Sequence, residues 1–134
     1  MISRWMTLCM ICALLPLLLA MRPVDEKLLI AASDGNLNQI KTLLDEGANV
    51  HAANEQGTTS LHAAAWNGHR DVVTLLLNNG AAVNQATNIG VTQLFVAVQE
   101  GQREVVALLL KNGADVNTRA GIGEVTLLHV AASY

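Results

Sequence analysis

Apolar and polar residues recur along this chain with the spacing of helices. Leu61, Ala64 and Ala65 are three and four positions apart, so they lie on one face of a helix. The apolar residues Val72, Val73, Leu75, Leu76 and Leu77 cover a broader face, as expected for a helix that packs on both sides. Thr59 stands where its hydroxyl can accept a hydrogen bond from the first turn of the first helix. The pattern therefore predicts two short consecutive helices.

The same pair of helices is predicted three times at a constant interval. One dipeptide follows a leucine-rich run at a spacing of 33 residues: Gly47-Ala48, Gly80-Ala81 and Gly113-Ala114. A second set of glycines keeps this period: Gly57, Gly90 and Gly123. Glycine just after a helix adopts the left-handed conformation at little cost, so Gly68 and Gly80 are predicted to end two of the helices. A period of this length indicates units that bury their apolar faces only against neighbouring units.

The residues of the second unit resemble a known repeat. They read Gly57-Thr-Thr-Ser-Leu-His62 and then Gly68-His69, and the unit closes with Gly80-Ala-Ala-Val-Asn84. This pattern resembles the ankyrin repeat over about residues 24–134. The resemblance implies an all-α solenoid of helix-turn-helix units joined by extended turns, with three full repeats and a truncated fourth. The repeats are expected at about 24–52, 53–85, 86–118 and 119–134.

The chain departs from the family pattern at a few positions. The family proline, which favours the first helical position, is replaced in three units by Ser60, Gln93 and Leu127. Phe95 replaces the usual histidine of the third unit. The fourth unit has one additional residue between Gly123 and Thr126, and we expect it to distort that turn.

No group of residues in the sequence indicates catalysis or metal binding. The resemblance gives His62, His69 and His129 a structural role, in which the imidazole bonds to backbone and hydroxyl groups. No metal-binding histidine spacing, serine nucleophile motif or phosphate-binding glycine loop is present. The adjacent carboxylates Asp25-Glu26 are expected to be solvated at a helix end. We therefore predict a protein that is not an enzyme, with no catalytic, metal or cofactor-binding residues.

Charge excludes one further class of partner. Only 14% of the residues are charged, the net charge is −3, and no basic stripe occurs. Nucleic-acid binding depends on such a stripe, so no nucleic-acid partner is expected.

The N-terminal segment differs in composition from the repeats. Residues 5–20 are almost entirely apolar and follow Arg4, a pattern typical of a secretory signal peptide. We therefore expect residues 1–20 to be a signal peptide or membrane anchor, and residues 21–134 to be the ankyrin repeat domain. Cleavage would give a secreted or exported protein, whereas retention would give a single-pass anchor as the only membrane contact. The pair Cys9 and Cys12 lies inside this apolar segment and is interpreted as apolar filler.

What remains for function is the surface of the repeats. In ankyrin-like proteins the partner lies on the turn tips and on the exposed face of the first helices. The positions that vary in the family pattern give the candidate partner-binding residues: Trp66, Asn67, Glu55, Gln56 and Thr58 in the second unit, and Asn88, Ile89, Val91, Gln99 and Glu100 in the third. Trp66 leads this set, because exposed tryptophan is enriched among binding hot spots. Packing of Trp66 against the adjacent turn is the alternative.

The sequence thus predicts a non-catalytic module that binds another protein, either as an adaptor or as an inhibitor. The identity of that protein is not encoded in any motif. Two alternatives stay open at this point: a fragment of a longer ankyrin-repeat protein, and a membrane-tethered ankyrin scaffold.

Overall fold

The computed structural model describes residues 22–117, together with the backbone of residues 119–120 and 125–126. The expectations for residues 1–20, for Leu127 and for His129 lie outside these residues. The described part of the chain contains six α-helices and one pair of very short strands. The helices are α1 (Pro23–Asp34), α2 (Leu37–Asp45), α3 (Ser60–Trp66), α4 (Arg70–Asn78), α5 (Gln93–Gln99) and α6 (Arg103–Lys111), and the strands are β1 (Arg119–Ala120) and β2 (Val125–Thr126).

The helices form three antiparallel pairs that stack in one direction. Within each repeat the first helix packs on the second, as α1 does on α2. Between repeats, α1, α3 and α5 form one row, and α2, α4 and α6 form the other. The core between the rows consists of small and branched apolar side chains, including the fully buried Leu28, Ile40, Leu61, Leu76 and Leu109. The predicted all-α repeat solenoid is confirmed.

Threonine caps the first helices of the second and third repeats, as predicted for Thr59. The hydroxyl of Thr59 accepts from the backbone N–H of His62, and the N–H of Thr59 donates in return to Nδ1 of His62. This reciprocal pair satisfies two amides that a helix start leaves without partners. In the third repeat Thr92 caps α5 through the N–H of Phe95, but a phenylalanine side chain cannot return the bond.

The turns between repeats stack directly on one another. Ala53 pairs with Thr59, and Ala86 pairs with Thr92, so each turn is closed by a single antiparallel bridge. The N–H of Asn88 in one turn donates to the carbonyl of Gln56 in the preceding turn, at 2.9 Å. These contacts fix the distance between the tips of the second and third repeats.

Gly57 is the residue that permits this close approach. Its φ of +81° lies in the region that favours glycine. A Cβ added there would lie 2.8 Å from Oδ1 and 2.9 Å from the backbone nitrogen of Asn88. Both the backbone conformation and the packing of the next turn therefore require glycine at this position.

Asp25 is buried, which contradicts the expectation of a solvated carboxylate. It is 4% exposed and accepts the backbone N–H of Asn49 at 2.8 Å. Arg22 donates to both of its carboxylate oxygens and also to the carbonyl of Gly47. This ion pair raises the pKa of Arg22, first through the hydrogen bond and then through the charge of Asp25. Asp25 thus ties the start of α1 to the turn after α2, whereas Glu26 is exposed as expected.

Gln93 replaces the family proline with a polar group inside the stack. The residue is fully buried. With its amide oriented to satisfy both polar atoms, its nitrogen donates to the carbonyls of Val83 (2.9 Å) and Gln85 (3.1 Å). The side chain therefore fastens the start of α5 to the turn before it, a role that proline cannot perform.

The additional residue of the fourth unit changes the pairing of its turn. In the two preceding turns the bridged residues are six positions apart, whereas Arg119 pairs with Thr126, seven positions later. A second pair, Ala120 with Val125, extends the bridge to a two-residue ladder. The inserted residue thus shifts the register by one position, and residues 121–124 lie outside the described part of the chain.

Candidate protein-binding groove

A groove with a volume of about 730 Å³ runs between the first helices and the tips of two turns. The helices α1, α3 and α5 contribute one side of it, and the turns before α3 and α5 contribute the other. No residue from the second helix of any described repeat lines it. We call this surface the concave groove, defined by the lining residues Ser33, Glu55, Gln56, Thr58, His62, Ala63, Trp66, Asn67, Thr87, Asn88, Ile89, Val91 and Val96.

Two large apolar side chains are exposed in the groove. Trp66 is 53% exposed at the end of α3, and Ile89 is 57% exposed at a turn tip. About half of the surface of Trp66 is thus available for contact, which is unusual for a residue type that is mostly buried. The alternative in which Trp66 is packed away against the adjacent turn does not describe this structure. Trp66 and Ile89 thus add two exposed apolar side chains to a groove that is also lined by Ala63, Val91 and Val96 and by polar residues of the turns.

Hydrogen bonds between repeats hold the walls of the groove. Nδ2 of Asn88 donates to the carbonyl of Glu55 at 2.6 Å, which joins the two turn tips. Nδ2 of Asn67 donates to the hydroxyl of Ser33 and to the carbonyl of Ala63. The bonds from Asn88 to Glu55 and from Asn67 to Ser33 link one repeat to the next, whereas the bond from Asn67 to Ala63 lies within one repeat.

A second set of hydrogen bonds between repeats holds the C-terminal ends of α1 and α3. Nε2 of His69 lies 2.8 Å from the carbonyl of Ser33. One repeat later, Nε2 of Gln102 donates to the carbonyl of Trp66 at 3.2 Å. The main chain that carries Trp66 is therefore fixed, while its indole remains exposed.

His62 lies beneath the groove and connects the second repeat to the third. Its Nε2 is 3.1 Å from the carbonyl of Val91, and its Nδ1 accepts the N–H of Thr59. Because Nδ1 accepts a hydrogen bond, the ring proton is on Nε2, which donates to the carbonyl of Val91, so the neutral ring satisfies both contacts. Burial lowers the pKa of His62 below 6.5, while the backbone bonds to Val91 and Gln85 act in the opposite direction. The structure thus agrees with the structural role inferred for His62.

Eight of the ten residues predicted to bind a partner lie together in this groove. They are Glu55, Gln56, Thr58, Trp66, Asn67, Asn88, Ile89 and Val91. Gln99 and Glu100 end α5 on the exposed surface and do not line the groove. Ser33 and Thr87 line it although the sequence interpretation did not include them. Ser33 lies one period before Trp66, so the repeat spacing itself could have identified it.

The family model described as ankyrin repeats (3 copies) matches residues 28–120, which is more than half of the chain. The chain belongs to the ankyrin repeat family. No curated protein shows significant similarity to it. Ankyrin repeats are protein-interaction modules that are typically non-catalytic, and the partner therefore has to be inferred from the surface of this ankyrin chain.

Neither a metal-binding cluster nor a membrane-spanning helix occurs among the described residues of the ankyrin repeats. Among them, no three His, Cys, Asp or Glu side chains come together in a way that could hold a metal ion. No helix in that part of the chain combines the length and the apolar character needed to cross a bilayer.

Proposed function

We propose that this ankyrin repeat protein binds another protein in the concave groove, with Trp66 as the central contact. The observation that supports this proposal most strongly is the exposure of Trp66 and Ile89 in one groove whose main chain is held rigid by hydrogen bonds between repeats. A rigid surface loses little conformational entropy on binding. Exposed tryptophan in a concave site is also the kind of residue that dominates binding energy.

The proposed mechanism is rigid display of side chains. The helices fix the spacing of the repeats, and the groove residues select the partner. The protein would act as an adaptor if the bound partner keeps its activity, and as an inhibitor if the bound segment is part of the partner's active site. Assaying the partner's own activity with and without the ankyrin chain separates these two forms of the proposal.

Site-specific photo-crosslinking in the native host tests the proposed surface. A photo-reactive residue replaces Gln56, whose exposed side chain lines the groove, and in a matched variant it replaces Ala107, which is exposed on α6. We expect a single protein to be crosslinked from position 56 only, and Trp66→Ala in the same chain to reduce that product. Equal products from positions 56 and 107, or a product unaffected by Trp66→Ala, would contradict the proposal.

The place of action is a separate proposal that rests on the sequence of residues 1–20. We propose that this segment directs export, or holds the ankyrin repeats at a membrane when it is retained. Intact-mass measurement of the protein from its native source distinguishes the two cases. A mass lower by residues 1–20 indicates an exported protein, and a mass above that of the 134 residues indicates a longer ankyrin-repeat chain.

A further inference from the structure

One carboxylate stands inside the concave groove without a basic neighbour. Glu55 is the only Asp, Glu, Lys or Arg residue among the residues that line the groove. Its side chain is exposed and forms no ion pair with any other described residue, while its carbonyl accepts from Asn88. The backbone that carries this carboxylate is therefore fixed, and the charge itself is available to a partner.

The row of first helices carries further negative charge beside the groove. The positions one period before and one period after Asn67 are Asp34 and Glu100, and both are exposed. Basic residues in the described helices lie elsewhere. They are Arg22 and Lys27 at or near the start of α1, and Lys41, Arg70, Arg103 and Lys111 on the second helices. The second helices also carry acidic residues, so the charges are not fully separated, but no Lys or Arg lines the groove and each described repeat places one of the exposed carboxylates Asp34, Glu55 and Glu100 in or near it. This local excess of negative charge favours a basic partner.

The groove combines this charge with an exposed aromatic face. An arginine side chain matches both features, because its planar guanidinium binds a carboxylate through two parallel hydrogen bonds and also stacks on indole. Lysine supplies the charge but neither the fork nor the stacking plane. An apolar side chain next to the arginine has Ile89 and Val91 to contact.

From this arrangement we infer that the groove takes a segment of its partner in which an arginine stands beside apolar side chains. Glu55 receives the guanidinium, Trp66 stacks against it, and the turn tip at Ile89 contacts the apolar neighbour. The inference rests on the proposed function, since it identifies the chemistry of the segment that the same groove would bind.

Selection of peptides on the full chain tests the inference before a partner is known. A library of random 12-residue peptides displayed on phage is selected on the immobilised protein, and binders to the Trp66→Ala variant are removed. The enriched peptides are synthesised and their affinities are measured for the parent chain, for Glu55→Gln and for Glu46→Gln. Glu46 undergoes the same chemical change but lies at the end of α2, outside the groove.

We expect arginine next to apolar residues in the enriched peptides. Glu55→Gln should weaken their binding by roughly tenfold, the effect of a lost charge-assisted bond, and Glu46→Gln should leave it within about twofold. Replacing the peptide arginine by lysine should also weaken binding. Enriched peptides that are acidic or uncharged, yet require Trp66, would overturn this inference and leave the proposed function standing. Failure to enrich any peptide that depends on Trp66 would overturn both.

Discussion

Replacement of Gly57 by alanine tests whether the stacked turns set the geometry of the groove. The change places a Cβ on a residue with φ +81°, which costs about 1–2 kcal/mol for a residue other than glycine. The same Cβ would lie 2.9 Å from the backbone nitrogen of Asn88 and 3.1 Å from Cα of Thr87. These are main-chain atoms, so the two turns must move apart for the substitution to be accommodated.

That movement stretches the two bonds by which Asn88 joins the turns, to the carbonyls of Glu55 and Gln56. At about 1 kcal/mol of net stability for each bond, their loss adds about 2 kcal/mol to the backbone strain. Gly80→Ala provides the matched control. Gly80 has φ +87°, but a Cβ there would meet no atom within 4 Å. Both substitutions share the backbone strain and the effect of alanine on the unfolded chain, so their difference measures the contact between the turns.

Urea unfolding of the full chain, followed by far-UV circular dichroism, gives the free energy of unfolding of each variant. We expect Gly57→Ala to lose about 2 kcal/mol more than Gly80→Ala. Losses that agree within about 0.5 kcal/mol would refute the reasoning, because the close approach of the turns would then contribute nothing to stability.

Three further predictions concern the supports of the repeats. Ser60→Pro should stabilise the fold by about 0.4–1 kcal/mol, because Thr59 is already extended and proline suits the first helical position. Gln93→Pro should instead lower the stability, because it removes two buried hydrogen bonds, and urea unfolding of the two variants should show these opposite changes. Asp25→Ala should cost about 2 kcal/mol and its exposed neighbour change Glu26→Ala less than 0.5 kcal/mol, and equal losses in the same assay would contradict the buried role of Asp25. Because the pKa of His62 is lowered in the folded state, the unfolded chain binds the proton more readily. The contribution of His62 to the free energy of unfolding should therefore be fully present above pH 6.5 and should be lost as the pH falls below it. Thermal unfolding across pH should show a weaker decline in His62→Gln.

The repeat architecture follows from the sequence because each local signal agrees with the global period. The threonine caps, the apolar helical faces and the glycines after the helices all repeat at one interval. The observed helices α3 and α4 begin and end close to where those signals place them, and Gly68 and Gly80 have positive φ as predicted. A fold can be predicted from a single sequence when its local helix signals and its repeat period agree in this way.

The repeat period also predicted part of the candidate site, although less completely than it predicted the fold. Positions that vary within the repeat pattern are not required for packing of the core, so they indicate the exposed surface. Most of the candidate residues at these positions line the concave groove. Gln99 does not join them although it is the counterpart of Trp66 one repeat later. The groove lies between the first helices and the turn tips of the second and third repeats, and its position along the stack cannot be deduced from the period alone.

The features that the sequence interpretation missed depend on side-chain contacts with neighbouring turns. Asp25 is buried because Arg22 and the N–H of Asn49 satisfy its carboxylate, and only the i, i+3 spacing of opposite charges hinted at this pairing. Gln93 reads as a loss of a preorganised helix start, yet its amide bonds to carbonyls of the preceding turn. Asn49 lies 24 positions from Asp25, and the carbonyls that Gln93 contacts belong to the preceding turn, so these partners become visible only in three dimensions.

The most direct test of the central claim is the affinity of the crosslinked partner for Trp66→Ala, measured together with the stability of that variant. Trp66 is half exposed and its backbone is held independently, so the free energy of unfolding should change by about 1 kcal/mol or less. As a hot spot, it should raise the dissociation constant at least 30-fold, equivalent to about 2 kcal/mol. Unchanged affinity in a folded Trp66→Ala variant would contradict the claim that the partner binds in the concave groove.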